Sequence, residues 1–144
     1  MRMNLNPSIN HNDYEFTHQL RTRFAETDAM GIIHHASYLA YFEETRVEFL
    51  RHSDHPYAKI REDGIDLAVL EVFVQYRKPL KFDEVVDVAM VIGGQSRATF
   101  QVAYLLSVDG DVRATAVTVH GAVDQSGRAV RLPESLSTNS KDQS

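Results

Sequence analysis

Asp28 has the setting to do chemistry in this chain. It lies in the run Glu26-Thr27-Asp28-Ala29-Met30-Gly31, polar and small residues closed by a glycine, and it is followed after Ile32-Ile33-His34-His35 by a long helical pattern. A carboxylate just ahead of a helix start sits beside main-chain N–H groups that have no partners inside the helix and carry the positive end of its dipole. Such N–H groups can hold an oxyanion while the carboxylate activates water or attacks a carbonyl carbon directly, which is the geometry of acyl transfer. By spacing alone, an Asp in this place is more often a cap or turn former.

Other chemistries fit the residues less well. There are seven histidines, with His34 and His35 adjacent and His52 and His55 at helical spacing. Adjacent side chains usually diverge and His55 precedes a proline, so no metal site is expected. His120, in a late strand-like run, reads as a satisfied core or interface histidine. A serine nucleophile lacks its Gly-x-Ser-x-Gly elbow, and Ser37 falls where capping explains it. With no cysteine, neither a thiol nucleophile nor a disulfide framework is possible.

The elements that must position Asp28 follow from periodicity. Tyr14 to Phe24 alternates weakly and reads as a first strand leading into the loop. Ala36 to His52 contains no Gly or Pro and reads as one helix of about four to five turns. On a helical wheel Leu39, Phe42, Val47, Phe49 and Leu50 share an arc with Tyr38 at its border, opposite Glu44, Glu48, Arg51 and His52. Glu43 and Arg46 fall inside the apolar arc at a spacing that lets them pair. The residue before Pro56 ends the helix, and Tyr57 to Asp63 gives one or two turns closed by Gly64. From Val69 the period becomes two, with expected strands at Val69–Arg77, Val85–Ile92, Ala98–Val108 and Val112–Val123, the last two joined by the hairpin signal Asp109-Gly110.

One long helix and about five strands leave the helix only the sheet to bury its apolar side against. The expected class is α+β, a curved antiparallel sheet wrapped around one central helix. At 144 residues and 43% hydrophobic the chain supports one domain, over 14–133, between polar tails 1–13 and 134–144 that are expected to be flexible. The formal net charge of -5 argues against nucleic acid or an anionic membrane as partner. The leading segment has no signal-peptide core and no run is long enough to span a bilayer, so a soluble cytoplasmic protein is expected.

The stretch Asp28-Ala-Met-Gly31-Ile-Ile-His-His35-Ala-Ser-Tyr38, followed by Tyr41-Phe42-Glu43 and Arg46, resembles the signature of the 4-hydroxybenzoyl-CoA thioesterase family of hotdog-fold acyl-CoA thioesterases. It is particularly similar to the branch that includes Tol-Pal-associated enzymes, and the likeness continues through Arg77-Lys78-Pro79, Gly127-Arg128 and Leu132-Pro133-Glu134. The resemblance implies hydrolysis of an acyl-CoA thioester without metal or organic cofactor. It makes Asp28 the catalytic carboxylate, places Gly31 beneath the thioester, gives the main-chain N–H of His35 the carbonyl oxygen, and sets Tyr38 in the acyl pocket. Glu26 and His34 depart from the branch, which often has Asp and Tyr there, and His34 is expected to line the acyl pocket. The phosphates of coenzyme A need local cations, with Arg97 and Arg128 the first choices because residues on turns can reach a neighbour's site. The resemblance also implies a homodimer, paired again into a tetramer, with sites shared between chains. The alternative on the same fold is a non-catalytic module that binds acyl-CoA or an acyl carrier protein.

Overall fold

The structure, a computed structural model, describes residues 5–53 and 57–132. The expected helix end at His55-Pro56, the motif beyond Leu132 and the tail 134–144 lie outside the described residues.

Five strands form one antiparallel sheet: β1 Phe16–Arg21, β2 Asp66–Tyr76, β3 Val85–Gly93, β4 Thr99–Val108 and β5 Asp111–Val123, in the spatial order β1-β3-β4-β5-β2. The β4–β5 hairpin turns at Asp109 and Gly110, both with positive φ (49° and 81°), as the Asp-Gly signal requires. The helix α1, Ser37–His52, lies against one face of the sheet, followed by the short α2, Tyr57–Glu62. Alternate residues of β3 and β4 (Val86, Val88, Met90 and Ile92; Phe100, Val102, Tyr104 and Leu106) are buried. Phe42 of α1 stacks on Tyr104 with ring centroids 4.5 Å apart.

The N-terminal segment from Leu5 carries a 3-10 turn at His11–Asp13, capped by the Asn10 side chain. Ile9 and His11 share a recess with Leu105 and Ser107 on the sheet face turned away from α1. No helix among the described residues is long and apolar enough to cross a membrane.

Four details depart from the expected pattern, the first being that β2 begins at Asp66 rather than Val69, because Asp66, Leu67 and Ala68 already pair with β5. β1 is shorter than Tyr14–Phe24, because Phe24–Glu26 forms a 3-10 turn in which the Glu26 carboxylate accepts the Arg23 N–H. The buried stripe of α1 is Tyr38, Tyr41, Phe42, Thr45 and Leu50, and Leu39 is 45% exposed. The two tyrosine rings outweigh Leu39 in filling the core, and Thr45 tolerates burial because its hydroxyl donates to the Tyr41 carbonyl at 2.8 Å. Glu43 and Arg46 do not pair: Glu43 is exposed, while Arg46 reaches inward and donates to the Tyr104 hydroxyl at 3.0 Å.

Candidate active site

The loop that carries Asp28 is closed by its own main chain. The Asp28 N–H donates to the Ile32 carbonyl at 2.8 Å and the Gly31 N–H to the Asp28 carbonyl at 3.0 Å. Gly31 takes φ 83°, a conformation open to glycine, which returns the chain so that Thr27 bridges Ile33. The loop then leans on the segment after β2: Ile32 bridges Lys81, and the Ile33 N–H donates to the Leu80 carbonyl at 2.8 Å.

Within this frame the Asp28 carboxylate is half-buried and divided in its tasks. Oδ1 accepts the N–H groups of Met30 at 2.8 Å and Ile32 at 3.3 Å. Oδ2 has no hydrogen-bond partner among the described residues, so one oxygen anchors the side chain and the other stays available.

The helix start supplies fewer free donors than a bare helix end. Ser37 and Leu39 donate to the carbonyls of His34 and Ala36 at 2.9 and 3.2 Å, Tyr38 to that of His35 at 3.4 Å, and Ala36 to the His34 ring Nδ1 at 3.1 Å. The N–H of His35 alone in this turn has no acceptor among the described residues. Its carbonyl is fixed by the Tyr76 hydroxyl, which donates to it at 2.9 Å.

Asp28, His35, Tyr38, Tyr76, Arg77 and Lys78 line one cleft of about 300 Å³, with Ile32, Ile33 and Pro79 completing its wall. That volume is at the lower end for small-molecule sites. Tyr38 is buried at its base and meets the Tyr76 ring edge-on at 4.9 Å. Burial pushes the Tyr38 phenol above its ordinary pKa, so it stays protonated at neutral pH. Beneath the loop the Tyr41 hydroxyl donates to Glu26 at 2.7 Å, and the Glu26 carbonyl accepts the His34 N–H at 2.7 Å. Burial first, and then the Glu26 carboxylate, raise the Tyr41 pKa. Glu26, where the resembling branch often has Asp, thus ties α1 to the turn that presents His35.

The structure therefore brings Asp28, His35 and Tyr38 together, with Gly31 shaping the loop rather than lining the cleft. His34 does not line this cleft: it is exposed, stacked on His35 at 4.2 Å, and its Nδ1 is occupied by Ala36. Arg97 and Arg128 lie at the other end of the sheet. Arg97 precedes Thr99, which pairs with Gly121, and Arg128 follows β5, whereas the cleft's Tyr76 pairs with Ala114. Among the described residues, Arg77 and Lys78 are the cations that line the cleft with Asp28, and Lys78 also pairs with Asp111 at 2.8 Å.

Sequence reasoning missed Arg113. Its guanidinium grips both Glu84 oxygens at 2.9 Å, donates to the Pro79 carbonyl at 2.9 Å and reaches Asp111 at 2.9 Å. It clamps the segment on which the Asp28 loop leans. No spacing rule points to it, since Glu84 lies 29 residues away in sequence.

Known proteins resemble this chain in sequence and in fold. The family model described as the thioesterase-like superfamily matches residues 22–139. A protein of Aquifex aeolicus (strain VF5) that carries the provisional name of esterase is 39% identical over 121 residues, 84% of this chain and 94% of that protein. The acyl-CoA thioester hydrolase YbgC of Escherichia coli O157:H7 is 30% identical over 73 residues, 51% of this chain and 54% of that one. Among solved structures, the DHNA-CoA thioesterase from Staphylococcus aureus superposes with a TM-score of 0.82 at 26% identity, covering 88% of this chain and 89% of that one.

Proposed function

The chain belongs to the thioesterase-like superfamily, with the hotdog fold of its structural neighbours, and from that membership we propose that it hydrolyses an acyl-CoA thioester to a carboxylic acid and free coenzyme A. The observation that carries the reading is the division of labour at Asp28, one oxygen held by the loop amides and the other without a hydrogen-bond partner among the described residues, in the same cleft as the His35 N–H, which has no acceptor among them either.

The thioester carbonyl oxygen accepts from the His35 N–H, which stabilises the negative charge that develops on it as the carbonyl carbon is attacked. Oδ2 of Asp28 either draws a proton from water or attacks the carbon itself to give a mixed anhydride that water then opens. The thiolate of coenzyme A is a good leaving group, so a strong general acid is not required. The Tyr38 and Tyr76 rings hold the acyl side of the bond, and Gly31 keeps the loop compact enough for close approach.

Arg77 and Lys78 at the cleft are the first cations for the coenzyme A phosphates. Arg97 and Arg128 take that role only if a second copy brings them near, and the β2 edge is suited to this: Val69, Leu70, Val72 and Tyr76 are exposed along it. A homodimer through β2 is part of this proposal. Arg77→Glu is expected to raise KM for acyl-CoA about tenfold while leaving hydrolysis of the matching acyl-N-acetylcysteamine, which lacks the phosphates, within about twofold. Equal effects on both substrates would separate Arg77 from phosphate recognition. A panel of acyl-CoA esters assayed for free thiol tests the activity itself, and binding without turnover across short, long and aromatic acyl groups would favour the non-catalytic module.

A further inference from the structure

A second cavity, of about 330 Å³, opens between α1 and the sheet and shares no lining residue with the Asp28 cleft. Its walls are largely apolar, built from Val47, Leu50, Leu67, Met90, Ile92 and Phe100 among others. Two polar side chains interrupt them, Arg46 and His120, while Glu43 and Arg61 complete the lining. Glu43 is exposed, and Arg61 is largely exposed and paired with Asp66 at 3.4 Å.

The hydrogen bonds of this wall leave the hydroxyl protons paired when they run in one direction. A guanidinium only donates, so the Arg46 contact at 3.0 Å makes the Tyr104 oxygen an acceptor. A buried phenol keeps its own proton paired by donating to Thr118 Oγ1 at 2.9 Å, the one acceptor it meets among the described residues, and the Thr118 hydroxyl then has His120 Nε2 at 2.7 Å to donate to. In that arrangement Nε2 accepts and the ring proton sits on Nδ1, which has no partner among the described residues. His120 stacks on Phe100 at 5.0 Å, and burial followed by the Arg46 charge lowers its pKa to about 3, so it remains neutral. Apart from the exposed Glu43 carboxylate, the polar wall thus offers donors: the remaining N–H groups of Arg46, which meets no carboxylate within 4.0 Å among the described residues, and Nδ1–H of His120.

We propose that this cavity is a binding site for a small carboxylate with an apolar body, its carboxylate held by Arg46 and His120 and its chain lying against Val47, Leu50 and Ile92. A straight-chain acid such as octanoate, about ten heavy atoms at roughly 30 Å³ each, is of the right size. A charged acceptor satisfies a half-buried guanidinium that otherwise has one neutral partner, which an alcohol of the same length does not. The site does not depend on the catalytic role of Asp28.

The test is calorimetric titration of the full-length protein with octanoate and with 1-octanol. Octanoate is expected to bind about tenfold more tightly than octanol, Arg46→Met to abolish that preference while keeping octanol within about twofold, and Asp28→Asn to leave both affinities unchanged. Val47→Phe, which fills the cavity from a half-buried helix position, is expected to weaken both ligands and keeps the test decisive if Arg46→Met does not fold. Equal binding of acid and alcohol, binding untouched by Val47→Phe, binding lost in Asp28→Asn, or no binding of either ligand at millimolar concentration would each overturn the assignment. None of these outcomes bears on thioester hydrolysis, which fails or stands on the thiol-release assay.

Discussion

Asp28→Asn is expected to lower thioester hydrolysis by about two orders of magnitude or more, through kcat, with the fold and KM largely kept. The asparagine carbonyl oxygen can still accept the Met30 and Ile32 N–H groups that hold Oδ1 at 2.8 and 3.3 Å, so the loop has no reason to open. What disappears is the second carboxylate oxygen, replaced by an amide that neither takes a proton from water nor attacks a carbonyl. Removal of a general base or nucleophile costs at least roughly 100-fold in most enzymes, and a group that acts only in the transition state lowers kcat without raising KM. Steady-state thiol release by purified wild type and variant decides it. A variant within about threefold of wild type would take Asp28 out of the mechanism.

Arg113→Met is expected to cost roughly 3 kcal/mol of stability, the scale for breaking a largely buried ion pair by removing one partner, and to lower Tm by roughly 10 °C. Arg113 and Glu84 have side chains only 14% and 21% exposed and meet through two parallel hydrogen bonds. The variant leaves the Glu84 carboxylate with the Lys81 N–H at 2.7 Å as its remaining anchor, and frees the Pro79 carbonyl at the cleft wall. The pH dependence has a definite sign. The Arg113 fork holds the Glu84 carboxyl below its ordinary pKa, so the pair's contribution is complete above the ordinary carboxylate range and is lost as pH falls through the lowered folded value. Chemical denaturation of wild type is expected to show that loss on acidification, and the variant to show a shallower one. Equal slopes would mean that Glu84 draws its stabilisation from elsewhere.

Elements with strong local signals were legible in the sequence. The alternation in β3, β4 and β5 and the Asp109-Gly110 turn place those strands within a residue of their observed ends, because side-chain parity and turn chemistry are local properties. The helix start was likewise placed to within one residue. Its buried face was less legible, since a wheel weighs Leu39 by type and ignores that Tyr38 and Tyr41 offer larger rings to the core. β2 carries an irregularity between Val69 and Glu71, which breaks the parity that strict alternation assumes. In the site, Asp28, His35 and Tyr38 could be found together because they are close in sequence. Tyr76 and Arg113 could not, since their roles come from strand pairing across long separations. The expected Glu43–Arg46 pair failed for a related reason: a helix spacing shows which residues can meet, not that a buried tyrosine 58 residues away competes for the guanidinium.

The central claim is that a thioester carbonyl lies between the His35 N–H and the Asp28 carboxylate. A crystal structure of Asp28→Asn with an acyl-CoA bound tests it most directly. The carbonyl oxygen is expected within about 3.2 Å of the His35 nitrogen, with the carbonyl carbon facing the residue 28 side chain from the cleft shared with Tyr38 and Tyr76. A well-ordered thioester bound elsewhere, with the His35 N–H still unpaired, would contradict it.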